Sequence, residues 1–170
     1  MPHYPNPFRI ARPATLAEAS ELLLAGAGDA ALYAGGTELL LAMKQAGLRY
    51  AVLIDLKAIP GLDGITDHDD GVEIGALATH RSIARSPIVR AAFAELARLE
   101  GSIANPRVRS TGTLGGNVCF AEPHSDPATL LLALDATMHV VGPQGDRSLD
   151  VAPFTAGPYE AALDPGEVLR

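Results

Sequence analysis

Residues 101–127 read GSIANPRVRSTGTLGGNVCFAEPHSDP, a stretch that is dense in glycine and in small polar residues. Its centre is the run TGTLGGN at residues 111–117. Glycines beside hydroxyl groups allow successive backbone N–H groups to turn inward and to form a concave nest for an anion. The stretch is therefore interpreted as a phosphate-binding loop.

A second glycine turn, YAGGTEL, occupies residues 33–39, where it ends an apolar run and opens a helical pattern. Amides at a helix N-terminus favour negative charge, so two such turns together suit a pyrophosphate. The simpler alternative at each position is a tight turn without a ligand, because glycine pairs commonly mark turns. Neither stretch is a Gly-x-Gly-x-x-Gly fingerprint or a Walker loop, which argues against a Rossmann or P-loop fold.

The composition limits the partners and compartments that the chain can have. Among 170 residues, 13 Lys and Arg oppose 20 Asp and Glu, which gives a net charge of −7. The basic residues are scattered, which argues against nucleic acid or an anionic membrane as a partner. Because Cys119 is the only cysteine, any iron–sulfur cluster must sit on a partner chain. The lack of a signal-peptide pattern and of a long apolar run predicts a soluble, cytoplasmic protein.

The first third of the sequence predicts a small parallel α/β lobe over residues 1–58. Thr15 and Glu18 fit a capping box that opens a helix ending near Gly26. Strands are predicted at residues 8–10, 30–33 and 52–54, and a second helix at 38–45. This alternation of strand and helix favours a parallel sheet.

Residues 59–170 are predicted to form a second lobe of mixed α+β structure. An acidic turn within residues 64–74 predicts an antiparallel hairpin, and Thr79 can cap a short helix. Ser86 and Pro87 are expected to begin one longer helix that reaches Leu99. After the glycine-rich stretch, a helix is predicted at 128–134 and strands at 137–141 and 147–149.

Four stretches together resemble the FAD-binding domain of the molybdenum hydroxylases, as in the medium subunit of carbon monoxide dehydrogenase or the flavin domain of xanthine dehydrogenase. They are YAGGTELL, NPRVRSTGTLGGNVCFAEPHSDP, LLALDATMHVVGPQGDR and LDPGEVL. The resemblance implies a two-lobed α+β fold of the PCMH type, which is similar to vanillyl-alcohol oxidase. That family normally continues with a third, C-terminal lobe. Its absence here predicts either a fragment or a shortened homologue.

The resemblance also implies which residues hold the cofactor. Both glycine turns would wrap the FAD pyrophosphate through backbone amides and the hydroxyls of Thr37 and Thr113, although Thr37 could also be a simple N-cap. Asp126 would lie near the adenosine, with capping of the next helix as the alternative, and Ile103 and Leu169 would lie near the isoalloxazine. The remaining implied cofactor-binding residues are Leu32, Tyr33, Ala34, Gly35, Gly36, Glu38, Leu39, Leu114, Gly115, Gly116 and Asn117.

Other reactive side chains are given smaller roles. Arg107 and Arg109 are expected to point the same way from an extended segment, toward phosphate, a partner's carboxylates or solvent. The sequence Glu122-Pro123-His124-Ser125-Asp126 is rejected as a Ser-His-Asp triad, because consecutive side chains cannot form one. It is also disfavoured as a metal site. Cys119 is expected to be a buried thiol without a role.

The expected function is that of the FAD-binding subunit of a molybdenum hydroxylase. By resemblance, its FAD would take electrons from iron–sulfur clusters of a small subunit and pass them to an external acceptor. A large subunit would carry the molybdenum, in a heterotrimer or its dimer. No side chain of this oxidoreductase component need act as a catalytic group. The alternatives are a stand-alone flavin reductase or oxidase, and an interaction subunit that has lost flavin.

Overall fold

The computed structural model describes residues 7–45 and 47–170, and its first layer is a three-stranded parallel sheet. The strand order is β1-β3-β2, so the central strand is the last of the three in sequence. Leu53 of the central strand pairs with Ile10 on one side and with Ala31 on the other. The elements of this part are β1 (Arg9–Ala11), α1 (Leu16–Ala25), β2 (Ala30–Tyr33), α2 (Leu39–Gln45), β3 (Val52–Asp55) and a 3-10 turn (Leu56–Ala58).

A capping box begins the first helix, as the sequence predicts. The Thr15 hydroxyl accepts a hydrogen bond from the Glu18 amide at 3.2 Å. Glu18 in return accepts from the amide of Ala14 at 2.7 Å, one residue before the cap. The Glu18 amide, one of those that a helix start leaves unpaired, is thereby satisfied, and the Glu18 carboxylate holds the chain just before the cap.

The chain then forms a hairpin and a group of helices. These elements are β4 (Ile65–His68), β5 (Gly71–Ile74), α3 (His80–Arg85), α4 (Pro87–Ala92) and α5 (Ala94–Ser102). Thr79 and Ser86 cap α3 and α4 as predicted. The prediction of one long helix to Leu99 is wrong, because Phe93 leaves the helical region with φ −137° and ψ 67°. The Phe93 ring packs against the core at this break.

The glycine-rich stretch is helical rather than a loop. It contains α6 (Pro106–Arg109), α7 (Leu114–Phe120) and the start of α8 (Asp126–Ala133). Asn105 caps α6 by accepting from the amides of Arg107 and Val108. The prediction that Arg107 and Arg109 lie in an extended segment is therefore wrong, since the cap and Pro106 at the first helical position favour a helical turn.

An antiparallel sheet of order β10-β6-β7 completes the fold. The final strand pairs through Val168 with Val141 and through Leu169 with Val140. The elements are β6 (Thr137–Gly142), β7 (Gly145–Asp150), α9 (Val151–Phe154), β8 (Thr155–Gly157), β9 (Glu160–Ala161) and β10 (Val168–Leu169). A parallel sheet followed by helices and antiparallel sheets confirms the predicted α+β class.

Two hydrophobic clusters form the core, and β10 contributes to both. Val168 packs in the cluster beneath the parallel sheet, whereas Leu169 packs in the cluster formed by the later helices and sheet. Successive residues of a strand point to opposite faces, which explains this split. The first cluster also includes Ile59, Leu62 and Leu77 from beyond residue 58. The division into lobes 1–58 and 59–170 stays a prediction.

Within residues 7–45 and 47–170, no helix is long and apolar enough to cross a membrane. The same ranges contain no group of three His, Cys, Asp or Glu side chains that could hold a metal ion.

Candidate functional site

A cavity of about 240 Å³ lies where the two hydrophobic clusters meet. Its lining includes thirteen of the sixteen residues that the sequence predicts to bind the cofactor. They are Leu32, Ala34, Gly35, Gly36, Thr37, Glu38, Leu39, Ile103, Thr113, Gly115, Gly116, Asn117 and Leu169. Residues far apart in the sequence are thus brought to one site by the fold.

The two glycine turns touch each other at the bottom of this site. A Cβ on Gly35 would lie 2.2 Å from the carbonyl oxygen of Thr111 and 2.8 Å from the Cα of Gly112. A Cβ on Gly112 would in turn lie 3.2 Å from the Thr37 hydroxyl. Only residues without side chains permit so close an approach of two backbones.

The first turn presents unpaired backbone donors. Among the described residues, no acceptor takes a hydrogen bond from the amides of Gly35, Gly36, Thr37 or Glu38. Gly36 has a φ of +71°, the left-handed conformation that favours glycine. The Thr37 hydroxyl lies two residues before α2, and its role as an N-cap stays a prediction. This cluster of free donors suits an anion.

The second turn differs from the prediction of a second amide nest. Thr113 is the N-cap of α7, and its hydroxyl accepts from the amide of Gly116 at 3.1 Å. The amides of Leu114 and Gly115 donate to the carbonyl oxygens of Ala78 and Ala76, each at 3.0 Å. These amides are therefore already engaged within the protein. The second turn contributes a close backbone wall and the Asn117 side chain instead.

The other three predicted residues lie outside the lining. Tyr33 stacks beneath the ammonium of Lys57, whose Nζ is 3.7 Å from the ring centroid. Leu114 is buried in the hydrophobic core. Asp126 is exposed at the start of α8, where Ser125 rather than Asp126 is the N-cap. The capping alternative for Asp126 is therefore wrong.

Sequence reasoning missed Lys57, which lies beside the first turn. Its Nζ donates to the carbonyl oxygen of Ala34 at 3.1 Å and is 2.7 Å from the Asp55 carboxylate. Lys57 is 23 residues from Ala34 in sequence, so only the parallel pairing of β2 with β3 brings them together. The contact fixes the chain where it enters the glycine turn.

Nine further residues line the cavity without being predicted there, and two of them, His80 and Cys119, carry ionisable side chains. His80 is buried, and its imidazole hydrogen-bonds the buried Glu100 carboxylate. Cys119 is half-buried and free, and desolvation raises the pKa of its thiol to about 12. The thiol is thus protonated at neutral pH, and the expectation that it has no role stays a prediction.

The rejected triad residues have separate structural partners. Ser125 donates to the side-chain oxygen of Asn117 at 2.5 Å, which fixes a residue of the cavity wall. The exposed His124 hydrogen-bonds Glu122 at 2.8 Å. This bond lowers the pKa of Glu122 and raises the pKa of His124. These contacts link the end of α7 to the start of α8.

The sequence matches the family described as the FAD binding domain in molybdopterin dehydrogenase over residues 6–170. The chain belongs to this family. The medium chain of carbon monoxide dehydrogenase from Hydrogenophaga pseudoflava is 38% identical over 168 residues, which is 97% of this chain and 58% of the relative. The xanthine dehydrogenase FAD-binding subunit of Escherichia coli O157:H7 is 35% identical over 159 residues, covering 93% of this chain and 54% of the relative.

Solved structures of this family agree with the fold. Carbon monoxide dehydrogenase from Hydrogenophaga pseudoflava, in a form that lacks the Mo-pyranopterin moiety, superimposes with a TM-score of 0.95 at 36% identity. The match covers 98% of this chain and 58% of the chain in that structure. The resemblance to this family and the fold class are therefore confirmed. The chain spans little more than half the length of these relatives.

A larger cavity, of about 510 Å³, adjoins this site and shares Ala76, Gly115 and Leu169 with it. It is lined by core side chains such as Val118, Leu131 and Met138. No residue of the first glycine turn is among its described lining residues. The amides of the first glycine turn that have no acceptor among the described residues lie at the smaller cavity. At 240 Å³ that cavity is below the roughly 300–1,000 Å³ of typical small-molecule sites, so it can enclose only part of a dinucleotide.

Proposed function

We propose that the chain binds FAD across the two glycine turns and serves as the flavin-carrying component of a molybdenum hydroxylase. The observation that carries the proposal is a row of four amides, at Gly35, Gly36, Thr37 and Glu38, that make no hydrogen bond with the described residues. Gly35 is buried and Gly36 and Thr37 are half-buried, whereas Glu38 is exposed. An N–H without an acceptor is costly where it is shielded from water, so the first three groups favour a ligand that accepts hydrogen bonds. A diphosphate supplies several acceptor oxygens.

The chain's own residues can fit such a ligand in distinct ways. The first turn would donate backbone hydrogen bonds, and the second turn would close the opposite side with Gly116 and Asn117. Ile103 and Leu169 offer apolar surface in the same lining, suited to contact with a flavin ring. Asp126, exposed and outside the cavity, is proposed to reach the adenosine by the family resemblance alone.

When bound, FAD would supply the electron transfer, and the protein would bind it, orient it and limit its contact with water. We further propose that electrons come from an iron–sulfur partner subunit and that substrate is oxidised at a molybdenum subunit. Support comes from the relatives' printed names, which describe medium chains of dehydrogenases and FAD-binding subunits. A cytoplasmic location is part of the same proposal and is tested by cell fractionation.

The first experiment is an absorbance spectrum of the purified chain with and without added FAD, followed by heat release and chromatography of the flavin. FAD at one equivalent is expected. The matched variant is Gly36→Val, which places a side chain at φ +71° against the Tyr33 ring, 2.2 Å from the new Cβ. It is expected to lose the flavin. A wild-type chain that binds no FAD at excess would instead support an interaction subunit without flavin.

The role of Asp126 is tested by ligand comparison. The variant Asp126→Asn is expected to raise the dissociation constant of FAD by about tenfold. The dissociation constant of FMN should rise by less than twofold, because FMN lacks the adenosine. Asp69→Asn, at an exposed hairpin turn, is the control and should change neither dissociation constant. Equal weakening of FAD and FMN by Asp126→Asn would contradict the adenosine-side role.

A partner role is tested by purification from the native host. The chain should co-purify with subunits that contain iron, acid-labile sulfur and molybdenum. A chain that oxidises a small molecule with its own bound flavin, without those subunits, would instead support the stand-alone flavin enzyme.

A further inference from the structure

A buried histidine–glutamate pair lies against the inner wall of the FAD cavity and has no part in the function proposed above. The Nδ1 of His80 is 2.5 Å from Oε2 of Glu100, and both side chains are almost fully buried. His80 begins α3 and Glu100 lies on α5, so two packed helices hold the pair. The second oxygen of Glu100, Oε1, has no hydrogen-bond partner among the described residues.

The burial of this pair limits where its protons can be. A buried carboxylate with one unpaired oxygen is unfavourable beside a neutral imidazole, because a net negative charge would be left without solvent. Two states avoid a net charge. Either an imidazolium faces a carboxylate, or a carboxylic acid donates to Nδ1 of a neutral imidazole. In both states the proton on the far nitrogen, Nε2, is present, so Nε2 is a donor.

His80 lines the cavity and is only 3% exposed, so the cavity is the open space beside its ring. Its Nε2 makes no hydrogen bond with the described residues, which leaves that nitrogen available to a ligand.

The position of the ring connects it with both glycine turns. The amide of His80 donates to the carbonyl oxygen of Gly112 at 3.1 Å. A Cβ on Gly112 would lie 3.1 Å from the Cδ2 of His80, which is bonded to Nε2, and 3.2 Å from the Thr37 hydroxyl. The imidazole edge and the Thr37 hydroxyl therefore flank the same glycine.

The charge of the lining strengthens the case. Apart from the protonated Cys119 thiol, Glu38 and His80 are the only ionisable side chains among the described residues that line the cavity, and Lys and Arg are absent from that lining. Among these lining residues, His80 is thus the one side chain that can carry positive charge, while Lys57 lies beside the first turn outside the lining.

We propose that His80, held by Glu100, is a further FAD-binding residue that donates its Nε2–H to a diphosphate oxygen. Glu100 is then a positioning residue, which fixes the orientation of the ring through its contact with Nδ1. The inference rests on the proposed FAD site. It assigns that site one side-chain donor in addition to its backbone amides.

The first test needs no variant. In the chain labelled with ¹⁵N-histidine, long-range ¹H–¹⁵N correlation should show His80 Nε2 protonated at neutral pH without ligand. Addition of ADP, a diphosphate without flavin, should shift the Nε2–H resonance. An unprotonated Nε2, or a resonance that stays unmoved at saturating ADP, would overturn the inference.

The second test compares ligands in the variant His80→Asn, whose amide keeps a group near Nδ1 for Glu100 and has nothing at Nε2. The dissociation constants of FAD and ADP should both rise about tenfold, the loss expected for one hydrogen bond to a charged group. Riboflavin, which has no phosphate, should change less than twofold. A general structural defect would weaken all three ligands alike.

The two proposals fail in different ways. If the wild-type chain binds FAD and His80→Asn binds FAD and ADP as tightly as the wild type, only the role of His80 is overturned. A wild-type chain that binds neither FAD nor ADP would overturn the FAD site itself, and with it the ligand assigned to His80.

Discussion

The contact between the two glycine turns predicts a large effect for a single added methyl group. In Gly35→Ala, the new Cβ would lie 2.2 Å from the Thr111 carbonyl oxygen and 2.8 Å from Gly112 Cα. All of these atoms belong to the backbone, so no side chain can rotate away. Ordinary contact begins near 3.4 Å, which requires the turns to separate by 3.4 − 2.2 = 1.2 Å.

The size of the effect follows from this displacement. Overpacking of this kind costs about 1–3 kcal/mol of unfolding free energy. A shift of roughly 1 Å also stretches a hydrogen bond of normal length beyond its useful range. Loss of two hydrogen bonds from backbone amides to a charged phosphate, at about 1.5 kcal/mol each, would raise the dissociation constant of FAD by about a hundredfold.

The assay is urea unfolding together with FAD titration, followed by flavin fluorescence. Gly101→Ala is the matched control, because its new Cβ meets only the Ala84 Cβ at 3.7 Å. Gly101 lies within α5, so alanine there should leave FAD binding unchanged and stabilise the chain by up to about 1 kcal/mol. A Gly35→Ala chain with the unfolding free energy and FAD affinity of the wild type would refute the proposed contact between the turns.

Three further predictions concern residues around the site. Cys119, whose pKa of about 12 compares with 9.0 for an ordinary thiol, should react with iodoacetamide at pH 8 about a thousandfold more slowly than free cysteine, as measured by mass spectrometry. Lys57→Met should lower the unfolding free energy in urea by about 1 kcal/mol, because Asp55 loses its nearest cation, and an unchanged midpoint would contradict this. Glu167→Gln should lower the unfolding free energy by roughly 2 kcal/mol at pH 7, because it replaces the carboxylate that accepts from Arg147. This hydrogen bond also lowers the pKa of Glu167. The folded state favours the ionised form, so this difference should shrink as the pH falls below 4.5 and through the lowered pKa, and a constant difference would be the contrary result.

Local signals predicted much of this fold. Thr15, Thr79 and Ser86 each cap the helix that the sequence assigns to them. Caps act on amides two or three residues away, so a short window of sequence contains the whole interaction. The first glycine turn was also accessible, because Gly35 and Gly36 end a buried strand and precede a helix.

Features that depend on distant partners were not accessible in this way. In the sequence, the amides of Leu114 and Gly115 appear free to bind a ligand. In the structure they donate to the carbonyl oxygens of Ala78 and Ala76, which lie more than thirty residues earlier in the chain. The partner of His80 lies 20 residues away on another helix. The family resemblance named most of the cavity lining, yet it could not show which donors the protein had already used.

The two residues of β10 have a consequence for how the chain melts. Val168 is anchored in one hydrophobic cluster and Leu169 in the other, and both also border the FAD cavity. Local unfolding of either cluster would therefore displace this strand and disrupt the wall of the cavity. Calorimetry should therefore find a single cooperative transition whose midpoint rises with FAD concentration, because the ligand and the strand join the same two bodies. The cofactor would then act as a brace between two cores as well as an electron carrier.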